Sequence, residues 1–160
     1  MENLAGEFSK IPGEVFGRIL NRDLFLFLLD HEVKRARRYQ NFLCLMFLKI
    51  KPFPKEGDGG GLEACYRILS DLIMVEMRES DIIGSLELNK LIVLLPYADI
   101  KAGTRVKSRL EDALKYYDFK NKGFEIIIDQ VCFPLDGTDT MDLIEKSSKN
   151  RQQDSRPRIY

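Results

Sequence analysis

Phe42-Leu43-Cys44-Leu45-Met46-Phe47-Leu48 is an apolar run of seven residues, and its reading sets the fold. A membrane-spanning helix needs about 20 such residues, so this run is far too short to cross a bilayer. It follows a charged stretch with helical spacing and stops at Pro52 and Pro54. Short, apolar on both faces and bounded by breakers, it reads as a central strand covered on both sides. A strand of that kind needs helices on either side of its sheet.

Upstream, a helix is expected from Asn21. Leu24, Phe25, Leu28 and Leu29 form its apolar face, and Glu32, Lys34, Arg35, Arg37 and Arg38 its solvated one. The basic residues crowd the last turn, where the helix dipole is negative. Downstream, Gly57-Asp58-Gly59-Gly60-Gly61 reads as a flexible connection, and residues 62–78 as a helix with Leu62, Cys65, Ile68, Leu69, Leu72 and Ile73 on one side. Residues 82–86 and 91–95 form a hairpin pattern that Pro96 ends. Residues 99–116 return to helical spacing, 124–133 is a further strand, and 139–147 a short helix. Residues 1–13 read as a leader, 14–148 as one domain and 149–160 as a polar, disordered tail. The expected class is α+β, a sandwich with a mixed, mostly antiparallel central sheet flanked by helices.

The chain has 160 residues, 25 basic and 25 acidic, for a formal net charge of +0. That balance argues against a nucleic-acid or anionic-membrane partner. The three cysteines, Cys44, Cys65 and Cys132, lack any paired spacing and read as reduced core thiols. No secretory or membrane-spanning pattern is visible, so a cytoplasmic location is expected. His31, the only histidine, has no Ser or Cys partner near it in sequence and reads as a surface residue.

Several pieces now form a familiar order. Asn21-Arg22 opens a helix, and Arg78-Glu79-Ser80-Asp81 leads into Ile82-Ile83-Gly84. A hairpin then runs to Val93-Leu94-Leu95-Pro96, and Val131-Cys132-Phe133-Pro134-Leu135-Asp136-Gly137 closes the series. In that order the chain resembles a GGDEF, or diguanylate cyclase-type, domain. The resemblance implies a nucleotidyl-cyclase palm, a ferredoxin-like sandwich, and a family reaction that condenses two GTP molecules into cyclic di-GMP.

The family holds two magnesium ions on carboxylates, because hard cations need oxygen ligands. Where it reads Asp-Ile-Asp, this chain has Lys49-Ile50-Lys51. Its Gly-Gly-Asp/Glu-Glu-Phe turn falls on Glu87-Leu88-Asn89-Lys90-Leu91. A lysine ammonium has no lone pair to give a cation. The expectation is therefore a degenerate member: not an enzyme, with no catalytic residues, no metal site and no cofactor.

The family's inhibitory site, an Arg-x-x-Asp motif completed by an arginine on the next helix, matches Arg78, Asp81 and Arg109. Arginine forks suit phosphate and the guanine O6/N7 edge, and an aspartate accepts from guanine donors. A cyclic di-GMP-sensing regulatory domain is expected. The alternatives are a dimerisation or protein-docking module without a nucleotide ligand, and an active cyclase.

Overall fold

Asn21 starts the first long helix by accepting a hydrogen bond from the Leu24 N–H at 2.9 Å, the capping geometry its side chain favours. A computed structural model describes residues 18–53 and 61–153, the last six by backbone only. The expected leader, Gly57-Asp58-Gly59-Gly60 and residues 154–160 lie outside the described residues.

The elements are β1 (Ile19–Leu20), α1 (Arg22–Tyr39), β2 (Leu43–Pro52), α2 (Leu62–Glu76), β3 (Ile82–Glu87), β4 (Lys90–Pro96), α3 (Ile100–Leu114), β5 (Phe124–Phe133) and α4 (Thr140–Gln153). Sequence spacing gives no sign of β1, because two residues carry no period. Helix α4 continues to Gln153, past the polarity that marks its end in the sequence.

The five strands lie in the order β1-β3-β4-β2-β5. β2 is an inner strand, antiparallel to both β4 and β5; β4 is the middle one, and β1 at the edge runs parallel to β3. Alternation along β2 builds two cores. Cys44, Met46, Leu48 and Ile50 pack under α2 and α3, and Leu43, Leu45 and Phe47 pack under α1 and α4. Covering both faces is what requires the unbroken apolar run. Gly84 in β3 lets Phe25 of α1 lie on the sheet, since a Cβ there would come within 2.5 Å of its ring.

The expectation of free thiols fails for two cysteines. Antiparallel register sets Cys44 directly opposite Cys132, and the two are joined as a disulfide, while Cys65 stays free and buried. Their separation of 88 residues hides that adjacency from any spacing rule.

Candidate functional site

Helix α2 has no basic residue in its last turn. The cation that serves its carboxyl end arrives from elsewhere. Arg18, one residue before β1, donates to the carbonyls of Met77 at 3.4 Å and Asp81 at 2.8 Å, and also to that of Arg78. The parallel pairing of Ile19 with Ile83 brings it there. Between these carbonyls runs the Arg78–Asp81 turn. It is closed by the Asp81 N–H on the Arg78 carbonyl at 3.0 Å, and by the Arg78 N–H on Asp81 Oδ2 at 2.9 Å. An Arg78–Asp81 ion pair is one structural role open to the motif. The carboxylate instead accepts from the backbone N–H three residues before it. The Arg78 side chain is exposed and forms no hydrogen bond or ion pair among the described residues.

Arg109, on α3, reaches the same end of α2. Its Nη2 donates to the Glu76 carbonyl at 2.8 Å, and its Nε lies 3.5 Å from Glu76 Oε2. Glu76 is two residues before Arg78, so all three expected site residues gather where α2 ends. Arg109 makes no direct hydrogen bond to Arg78 or Asp81; Glu76 holds it beside them. Neither Arg18 nor Glu76 is visible as a site residue in the sequence, since neither belongs to the motif.

Two hollows lie in this region, one beside Arg109 and one against Ser80 of the turn. A groove of about 560 Å³ between α2 and α3 is lined by Leu72, Val75, Glu76, Arg109, Tyr116 and Tyr117, among others. A smaller one, about 290 Å³, is bordered by Ser80, Ile82, Glu32, Arg35, Pro96 and Tyr97. There the Arg35 guanidinium donates to Glu32 Oε2 at 2.6 Å and to the Tyr97 hydroxyl at 2.7 Å, and lies 4.4 Å from the Tyr97 ring centre. The hydrogen bonds Arg35 donates to the Glu32 carboxylate raise the Arg35 pKa above its usual value. Tyr97 adopts a left-handed φ of 61°, uncommon outside glycine, at the junction of β4 and α3.

The opposite end of β3 and β4 carries the family's metal-binding segments. Lys49 and Lys90 are direct cross-strand partners there. The Lys90 ammonium sits 5.3 Å from the Phe47 ring centre, and Asn89 Nδ2 donates to the Ile50 carbonyl at 3.3 Å. A lysine ammonium offers no lone pair to a divalent cation. Among the described residues no group of three or more His, Cys, Asp and Glu side chains is placed to hold a metal ion. No helix of the described residues is long and apolar enough to cross a membrane.

A five-stranded mixed sheet under helices, with an Arg-x-x-Asp turn ahead of the β3–β4 hairpin, has the layout of a nucleotidyl-cyclase palm. The family model described as "Diguanylate cyclase, GGDEF domain" matches residues 15–156. The chain belongs to the GGDEF family.

Solved structures agree on the fold. The GGDEF domain of PA1120 (YfiN or TpbB) from Pseudomonas aeruginosa is 20% identical, with 88% of this chain and 96% of that one covered at a TM-score of 0.69. The active GGEEF domain of a diguanylate cyclase from Vibrio cholerae is 14% identical over 86% and 94%, also at 0.69. A microbial GGDEF domain described for its interaction with bis-(3′,5′)-cyclic di-GMP is 17% identical over 82% and 84%, at 0.61. No curated protein matches the chain.

These findings correct one expectation. The chain was expected not to be an enzyme, but its family is that of diguanylate cyclases, and an active cyclase domain is among its structural neighbours. The physical reason lies in what the expectation rested on. Lys49, Asn89 and Lys90 describe a few ligand positions, whereas β2, the β3–β4 hairpin and their register, on which the family's reaction is built, are all present.

Proposed function

We infer that this GGDEF domain binds cyclic di-GMP through Arg78, Asp81 and Arg109, in a regulatory site of the product-inhibition kind. The observation that carries the reading is the convergence at the end of α2. Glu76 holds Arg109 beside a turn that Arg18 clamps by its carbonyls and that leaves the Arg78 side chain exposed. A clamped turn loses little freedom when a ligand binds, so less of the contact energy is spent on ordering it.

Each group has a chemical part. The Arg78 fork donates to a phosphate or to guanine O6 and N7. Asp81 Oδ2 is taken by the Arg78 N–H, and Oδ1 is left to accept a guanine donor. Arg109 adds the second cation that a doubly charged cyclic dinucleotide needs. The GGDEF domain described for its interaction with cyclic di-GMP makes the ligand a chemically consistent choice.

Isothermal titration with cyclic di-GMP tests the reading. Binding is expected in the micromolar range or tighter, weakened about thirtyfold in Arg78→Ala, which corresponds to about 2 kcal/mol for a lost charge-assisted hydrogen bond. Absence of heat at tens of micromolar ligand would sink it, as would an Arg78→Ala variant that binds normally. A bare docking module predicts that first result.

A further inference from the structure

The last turn of α2 and the second half of α3 enclose the 560 Å³ groove beside Arg109. Buried Leu72 lies at its base. Around it stand Val75, Tyr116 and Tyr117, which are 81%, 90% and 42% exposed. Arg109, Asp112 and Ala113 lie at helical spacing on one face of α3, and Tyr116 follows in the turn just past the helix, where its N–H donates to the Ala113 carbonyl at 3.2 Å. Large apolar groups grouped and exposed around a polar-tipped groove call for a partner.

The chemistry selects that partner. Tyrosine rings offer flat faces, Arg109 offers a two-pronged donor, and Glu76 and Asp112 offer carboxylate acceptors. Guanine presents the complement: a flat face, O6 and N7 as adjacent acceptors, and N1–H and N2–H as adjacent donors. Adenine carries a donor where guanine has O6 and lacks the N1–H. The groove's volume falls in the range of small-molecule sites. A rim of three apolar side chains falls well short of the roughly 800 Å² per partner of a stable protein interface.

We propose that the α2–α3 groove is a guanine subsite continuous with Arg109. The base stacks on Tyr116 and Tyr117; Arg109 stays on the Glu76 carbonyl through Nη2 and swings its Nε from Glu76 Oε2 to the base's O6/N7 edge, and the carboxylate so released accepts from N1–H and N2–H. The inference rests on the reading of Arg109 as part of a cyclic di-GMP site. It adds a second recognition element and the specificity for guanine over adenine.

Titration of the full chain with cyclic di-GMP and cyclic di-AMP, repeated on Tyr116→Ala, Tyr116→Phe and Arg78→Ala, tests it. Tyr116 is exposed, so its variants keep the core intact. Tyr116→Ala is expected to weaken cyclic di-GMP about tenfold or more, the usual worth of a base–aromatic stack. Tyr116→Phe keeps the ring and stays within about twofold. Cyclic di-AMP binds at least about tenfold more weakly than cyclic di-GMP. If Arg78→Ala abolishes binding while Tyr116→Ala leaves it unchanged, the groove is overturned and the turn stands. Loss in Tyr116→Ala with retention in Arg78→Ala keeps the groove and removes the turn. A wild-type chain that takes up no cyclic di-GMP removes both.

Discussion

The two ends of strand β3 have diverged in opposite directions. At its start lies the Arg78–Asp81 turn, where the residues expected of a ligand site are present, clamped by Arg18 and joined through Glu76 to Arg109. At its far end lies the β3–β4 hairpin, where Lys90 is the cross-strand partner of Lys49. The same strand supports both, so stability of the sheet does not account for the difference. The turn is fixed by its own hydrogen bonds and leaves the Arg78 side chain exposed.

The strongest test of the comparison strikes what the ends share. Gly84→Ala should destabilise the chain by about 3 kcal/mol, read as a lower urea midpoint, because the added Cβ meets the Phe25 ring at 2.5 Å. Hydrogen exchange should then rise at the turn and the hairpin together. A rise at one end alone would show that β3 does not couple them.

Next in size is the split between the ends themselves. Arg78→Ala should cost about 2 kcal/mol of cyclic di-GMP affinity, whereas Lys90→Ala should stay within about twofold in the same titration. Equal losses would erase the distinction.

A pH effect of about 1–2 kcal/mol belongs to α2, the helix that leads into the turn. Burial pushes the Cys65 thiol up from 9.0 to about 11. The unfolded chain releases this proton near pH 9 while the folded chain keeps it. Stability should therefore fall as pH rises from 9 to about 11, and be unaffected by this group below 9. Cys65→Ala should flatten that part of the urea-midpoint profile. An unchanged slope would mean that Cys65 ionises as freely in the fold as outside it.

The smallest expected effect is on the clamp. Arg18→Ala should cost about 1 kcal/mol and quicken amide exchange at residues 77–81, with cyclic di-GMP bound several-fold more weakly. Arg18→Lys should restore little, since one ammonium does not reproduce a fork spread over three carbonyls. Unchanged exchange in Arg18→Ala would show that the turn holds itself.

Much of this architecture can be read in the chain before any coordinates. The 42–48 run marks a strand covered on both faces because its two residue sets feed different cores. Asn21 marks the start of α1 because an Asn side chain caps a helix locally. The expected strand 124–133 coincides with β5. Arg78, Asp81 and Arg109 are legible as candidates through the family's spacing, and the family itself through motif order. The status of the chain as an enzyme was misjudged for a different reason: ligand positions were weighed apart from the scaffold that carries them.

Local sequence therefore determined the helices, the strands, the caps and the two-faced β2, because periodicity and capping act over a few residues. Tertiary structure alone decided that Cys44 meets Cys132, that β1 pairs with β3 and carries Arg18 to the turn, and that Glu76 takes hold of Arg109. It also placed Tyr116 and Tyr117 on the rim of a groove. These depend on strand register and helix packing across 33 to 88 residues of chain, distances at which spacing in the sequence carries no geometric information.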